Sequence, residues 1–181
     1  MLNQIKQFIK ENKRILRFIL ASFIFLLAWV LFTTYFPVLL HNIHFWIIKP
    51  QAIISAWILN IFGYEATVLY YVNNCMSLLD INNSALVCIG TGCSGLELFL
   101  IFIVFIILLK GKSRNYLWFI PTGLLLIILL NIIRIISLAL IVYYAPEYLE
   151  FNHKYTFVII VYGFMILLWI YWMNTYYDKK K

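Results

Sequence analysis

Three stretches of this chain, residues 18–36, 116–144 and 155–173, are apolar for long enough to cross a lipid bilayer, which needs about 20 residues at 1.5 Å of rise each. That length dictates the fold class. Hydrocarbon offers no partner to a backbone N–H or C=O, so each segment must satisfy its own groups by coiling into a helix. A fourth run, 96–109, is shorter. It reaches across if Ser94 and Lys110 form its ends, since about 17 residues of helix cover roughly 25 Å and a terminal lysine extends its ammonium to the headgroups. The composition agrees: of 181 residues, 65% are hydrophobic, 19% aromatic and only 12% charged, unlike a soluble domain. The basic and apolar N-terminal stretch has the outline of a secretion signal, but its long apolar run and the lack of a small-residue cleavage site predict a retained anchor.

A net charge of +7 raises nucleic acid as a partner, and the placement of the charge argues against it. Lys6, Lys10, Lys13, Arg14 and Arg17 precede the first run, Lys110, Lys112 and Arg114 follow the short one, and Lys179, Lys180 and Lys181 end the chain. Basic clusters beside spans stay in the cytoplasm and set orientation. The chain is therefore expected to leave through 18–36, return through 94–110, leave again from 116 and return through 155–173. Both termini are then cytoplasmic, residues 37–93 lie outside or in the outer leaflet, and the basic clusters meet membrane lipid. Glu65, Asp80, Glu97, Glu147 and Glu150 all fall on the outer side.

The outer segment has its own pattern. Residues 45–62 are apolar but interrupted by Lys49, Pro50, Gln51, Ser55 and Asn60, which predicts a helix after Pro50 lying in the interface; a pair of extra spans here would keep the same topology. After Gly63, the runs 67–72 and 85–89 are β-branched and aromatic, and Asn73-Asn74 and Asn82-Asn83 are turn-prone pairs, so a small strand pair is expected beside the membrane. No repeat divides the chain. Residues 1–181 read as a single integral-membrane domain, all-α and polytopic, with about four transmembrane helices, an outer-face interfacial helix and a small β element.

Gly90-Thr91-Gly92-Cys93-Ser94-Gly95 is literally G-x-G-x-x-G. A dinucleotide site needs a parallel sheet around that pattern and an acidic residue about 20 positions on; here a membrane-length apolar run follows and Lys110 stands at that distance. No cofactor is expected. Ser94-x-x-Glu97 instead reads as a capping box, Ser94 capping the helix and Glu97 reaching back. Cys93 then sits just ahead of a helix N-terminus, where free N–H groups and the helix dipole favour the thiolate, opposed by burial and by Glu97.

Two further residues raise the interest of this cysteine. Arg134 interrupts an apolar helix, and a guanidinium there costs at least about 2.5 kcal/mol, so it is kept for function or for pairing. Helix length from residue 116 puts it near the outer boundary, the expected depth of Cys93. Asn131, at i−3, shares its face. Arg134 could also simply snorkel and pair with Glu97 or lipid phosphate. His153 opens the last span; Pro146 ends the helix before it, Asn152 is a candidate cap, and an imidazole there titrates near neutral pH.

At these residues the chain resembles the exosortase and archaeosortase family of membrane transpeptidases. The matching motifs are Cys93-Ser94-Gly95-Leu96-Glu97, Asn131-Ile132-Ile133-Arg134 and Asn152-His153, with 45–173 as the similar core. The resemblance implies a bacterial cytoplasmic-membrane enzyme that processes secreted proteins ending in a recognition motif, a transmembrane helix and a basic tail. It implies Cys93 as nucleophile and Arg134 and His153 as the partners that stabilise charge and move protons, with Ser94, Glu97 and Asn131 in support. The roles of Arg134 and His153 could be exchanged, and the acceptor nucleophile stays open.

Other features carry less. Cys75 and Cys88, both outside, could form a disulfide, whereas pairing of Cys88 with Cys93 would block catalysis. His41 and His44 form H-x-x-H without a third ligand in view, so no metal is expected. A non-catalytic subunit that holds sorting-signal tails, or a small transporter with Arg134 on an anion, are the competing readings.

Overall fold

The computed structural model describes residues 13–70, 75–109 and 113–176, and the chain divides into two compact units, Met1–Leu40 and His41–Lys181. The first holds α1, Lys13–Tyr35, and the opening of α2, Pro37–Ile61. Phe23, Leu27, Val30 and Leu31 of α1 are exposed, as suits a helix whose solvent is lipid. Pro37 opens α2 where a missing N–H is harmless.

In the second unit α2 runs unbroken through Pro50, whereas a helix beginning after Pro50 was expected from sequence. Pro50 cannot donate to Trp46 O one turn back, and beside it the Gln51 side-chain amide donates to Ile47 O at 3.1 Å. His44, Ile48, Gln51, Ala52, Ser55, Ala56 and Leu59 are buried, one continuous stripe at helical spacing. The polar members that interrupt the apolar run therefore lie on its inward face.

Three antiparallel strands follow in the order β1-β2-β3: Ala66–Tyr70, Ser77–Ile81 and Ala85–Ile89. The sequence predicts only two. The central strand β2 is buried on both faces, so it lacks the alternation that marks a half-buried strand. Val68 pairs with Leu79, and Leu79 with Val87. Asn82 and Asn83 both take φ of +52°, a region asparagine tolerates, and Ser84 N–H closes the turn on Ile81 O at 3.0 Å. The predicted Asn73-Asn74 turn lies outside the described residues, as do Tyr71 and Val72. Cys75 and Cys88 are joined by a disulfide, with Cα atoms 5.4 Å apart, which leaves Cys93 as the free thiol.

Two cores result. One packs Ile48, Ala52 and Leu59 of α2 against Leu79, Ile81, Val87 and Ile89 of the sheet, with Ile135 and Ala139 from α4, the helix Ser113–Tyr144. The other packs Phe102 and Ile106 of α3, Leu96–Leu108, against Ile127 of α4 and Val161, Met165 and Trp172 of the last helix. The core around the sheet gains about 1.5–3 kcal/mol per large side chain taken from water; among lipid-facing helices that drive is absent and close packing must substitute. A Cβ on Gly123 would stand 2.2 Å from the Phe102 ring, so α3 and α4 approach there only because Gly123 has none. Trp172 Nε1 donates to Leu109 O at 2.9 Å, satisfying a carbonyl left over at the end of α3.

After α4 the chain turns through Pro146–Tyr148, the short α5, Leu149–Phe151, and a π-helical turn, Asn152–Thr156, into α6, Phe157–Thr175. Asn152 donates to Tyr148 O at 2.9 Å inside this helical path and does not cap a new helix. Among the described residues, Arg114–Tyr144 and Pro146–Thr175 are long and apolar enough to cross a membrane, and a third span exists if the helix pair meeting at Phe36 is one broken span. Leu96–Leu108 is a shorter apolar helix. The described residues are thus mostly helical, with two or three candidate spanning helices and a small sheet.

Gly123→Ala should lower stability by about 1–3 kcal/mol through overpacking. Gly163→Ala, which meets nothing within 4 Å, should be neutral or slightly stabilising; thermal unfolding in detergent compares the two. Intact mass after denaturation with iodoacetamide should show one adduct without reduction and three after it.

Candidate functional site

Strand β3 ends at Ile89, and the chain turns at once through the 3-10 turn Thr91–Cys93. Cys93 N–H donates to Gly90 O at 2.9 Å and Ser94 N–H to Thr91 O at 3.0 Å. Gly95 then takes φ of +78°, a left-handed conformation that glycine adopts without cost to a Cβ, and α3 begins. This places Cys93 where the sheet meets α3 and α4, buried with 8% of its surface exposed.

The capping box expected from Ser94-x-x-Glu97 does not form. Gly95 occupies the N-cap position, Ser94 Oγ accepts from Leu96 N–H at 3.1 Å, and Ser94 N–H is already used in the preceding turn. Glu97 faces His44 instead, 3.9 Å from Nε2. His44 Nδ1 lies 2.7 Å from Ser94 Oγ. The left-handed glycine shifts the helix start by one residue, and a box built for Ser94 at the N-cap loses its register.

That same turn leaves the carbonyls of Cys93 and Ser94 buried and outside any helix ladder, so each needs a partner. Asn131 Nδ2 donates to Cys93 O at 2.6 Å and to Gln51 Oε1 at 2.6 Å, while Gln51 Nε2 donates to Ser94 O at 3.1 Å. Asn131, an expected supporting residue, touches the backbone of Cys93 rather than its sulfur. His44 and Gln51 were not expected here. Their signal was their shared stripe with Ile48 and Ala52, legible only once the helix is continued through Pro50.

The three expected reacting residues come together. Cys93 Sγ lies 3.9 Å from His153 Nε2, and the Arg134 guanidinium lies 3.2 Å from the same nitrogen. Arginine only donates, so Nε2 accepts and the neutral imidazole holds its proton on Nδ1. His153 sits in the π-helical turn, a distortion often found at functional sites. Arg134 is not paired with Glu97 in an ion pair, which removes one of the bland readings of its presence. Its Nε and Asn131 Oδ1 are buried without a protein partner.

Burial pushes the Cys93 thiol above its ordinary range, while the Arg134 guanidinium and the Gly90 backbone beside the sulfur pull it back. Desolvation outweighs the helix-terminus effect expected from sequence. The resting sulfur is therefore a thiol, and a nucleophile forms from it only when a base takes the proton. His153 Nε2 is the basic atom within reach.

Two searches, one of curated proteins and one of solved structures, yield no significant match. The family model described as transmembrane exosortase matches residues 17–173, a span that includes His44, Gln51, Cys93, Asn131, Arg134 and His153. The chain belongs to the transmembrane exosortase family.

Proposed function

We propose that this chain is a membrane cysteine peptidase or transpeptidase. It recognises secreted proteins by a C-terminal signal of motif, helix and basic tail, and cleaves them at the outer face of the cytoplasmic membrane. The observation that carries this reading is the meeting of Cys93, Arg134 and His153, from three separate chain segments, around one imidazole nitrogen. The proposed topology has four spans, with both termini in the cytoplasm beside the basic clusters and α3 as the short span. From Ser113 to Arg134 the α4 helix rises roughly 30 Å, so a helix entering at the inner surface delivers Arg134 at the outer boundary. A substrate held with its basic tail inside presents its motif at that level.

The reaction starts from the thiol. Cys93 gives its proton to His153 Nε2 as the sulfur attacks the carbonyl carbon of the scissile peptide, and an S–C bond forms. Protonated Nε2 no longer accepts from Arg134, so the guanidinium is released to the oxyanion, in a site where poor hydration strengthens it. The C–N bond breaks, the imidazolium returns its proton to the leaving amine, and a thioester remains. An incoming amine or water gives a proton to His153 as it attacks the thioester carbonyl; the C–S bond breaks, and the imidazolium returns that proton to the departing sulfur to restore the thiol. Amine as acceptor completes transpeptidation, and water completes hydrolysis.

Co-expression with a secreted protein bearing such a tail, with a tag beyond it, tests the reading by intact mass. Tail loss should fall by at least about 10³-fold in Cys93→Ala and by roughly 10²-fold in Arg134→Gln, at equal protein levels. Undiminished tail loss in Cys93→Ala would leave the chain as a binding subunit. The thiol chemistry gives a second expectation. Because burial raises the Cys93 pKa, alkylation by iodoacetamide should climb with pH to a midpoint above that of an ordinary cysteine; because Arg134 lowers it, Arg134→Gln should move that midpoint further up. A midpoint below the ordinary range would contradict the buried-thiol resting state.

A further inference from the structure

A glutamine and a histidine on the buried stripe of α2 are unexpected where apolar side chains would fill the same space. Gln51 is 2% exposed, and both ends of its amide are engaged: Oε1 accepts from Asn131, and Nε2 donates to Ser94 O. His44 is equally buried and joins Ser94 Oγ at 2.7 Å. The Glu97 carboxylate, 3.9 Å from His44 Nε2, favours the proton on that nitrogen and leaves Nδ1 to accept the Ser94 hydroxyl. Ser94 Oγ then takes the Leu96 N–H. Through these links α2 grips the residue next to the cysteine at both its carbonyl and its side chain.

The grip on the other side comes from α4. Asn131 holds Cys93 O, and Arg134 lies one turn further along that helix. Gln51 bonds both to Asn131 and to Ser94, so it closes a ring of hydrogen bonds that runs from α2 through the turn to α4. Without that ring, two neighbouring buried carbonyls would lack partners and the turn would shift to find them. The sulfur would move with it.

We propose that Gln51 and His44 are positioning residues that fix the Cys93-Ser94 turn against α4 and so hold the thiol beside Arg134 and His153. The proposal rests on the reading of those three as the reacting groups. Neither Gln51 nor His44 touches the reacting atoms; both act through the backbone and side chain of Ser94. The stripe of α2 is then part of the site rather than only its support.

The test reads the juxtaposition directly and requires no substrate. Full-length protein in lipid nanodiscs is treated with iodoacetamide near neutral pH, and Cys93 alkylation is followed by intact mass, with and without Arg134→Gln. In the wild-type background, loss of Arg134 should slow alkylation by about tenfold, because an adjacent cation favours the thiolate. In Gln51→Leu and His44→Leu backgrounds the same change should slow it by less than about twofold, since the thiol no longer stands beside the guanidinium. His44→Asn, whose amide can still bond Ser94 Oγ, should keep the wild-type ratio. A merely structural role would lower the reactive fraction and leave the ratio intact.

A ratio near tenfold in both leucine backgrounds overturns the proposal, as does the absence of an Arg134 effect in the wild type. If the leucine variants fail to accumulate, Gln51→Glu decides: it keeps an acceptor for Asn131 but loses the donor to Ser94 O, and the Arg134 effect should still shrink. Failure of the peptidase reading appears separately, as Cys93-independent tail loss in the co-expression assay.

Discussion

A buried carbonyl needs a donor, and at the head of α3 two stand side by side. The left-handed turn at Gly95 takes the chain from β3 into α3 within a few residues, which puts Cys93 at a junction of sheet and helices. It also strands Cys93 O and Ser94 O outside any regular ladder. Leaving either unpaired costs about 1–3 kcal/mol, comparable to the gain from burying a large apolar side chain. Asn131 and Gln51 meet that demand, and in doing so they fix the relation between α2, the turn and α4. The distances between Cys93, His153 and Arg134 depend on that relation.

The two cores follow different physics, and α4 passes through both. Around the sheet, apolar side chains leave water, and a cross-link between Cys75 and Cys88 closes the strand region. Between α3, α4 and α6 there is no such transfer, so contact depends on the small residue at Gly123 under Phe102 and on aromatic pairs such as Phe105 with Trp169, 4.3 Å apart. Arg134 belongs to the segment between the two. A guanidinium suits this boundary: it reaches polar partners while its helix remains packed.

Burial makes the cysteine a poor acid, and the neighbouring base makes that tolerable. A sulfur that rests as a thiol is not lost to adventitious oxidation as readily as a thiolate. Under the proposed function its activation depends on proton transfer to an imidazole whose lone pair also faces Arg134. The two donors compete for one nitrogen. In the proposed mechanism, when the thiol proton wins, the arginine is released where negative charge develops, so a single proton transfer both creates the nucleophile and frees its electrostatic partner.

Much of this was legible in the chain. Run length and hydrocarbon's lack of hydrogen-bond partners dictate membrane helices, and Cys93, Arg134 and His153 stand out because thiol, guanidinium and imidazole are chemically conspicuous beside apolar runs. Asn131 is legible too, by its place one turn from Arg134. Gln51 and His44 were not: read linearly, they interrupt an apolar run, and only a helix continued through Pro50 sets them on its inward face. Strand β2 was hidden because burial on both faces erases alternation. The capping box misled because its register depends on where the helix starts, which the φ of Gly95 decides. The sequence by itself determined the helical membrane class and singled out the thiol, guanidinium and imidazole of the candidate site, since these follow from transfer energies and functional groups that each residue carries alone. Tertiary structure alone decided which polar groups meet, because a hydrogen bond needs a distance and a direction, and those arise only when segments far apart in the chain are packed together.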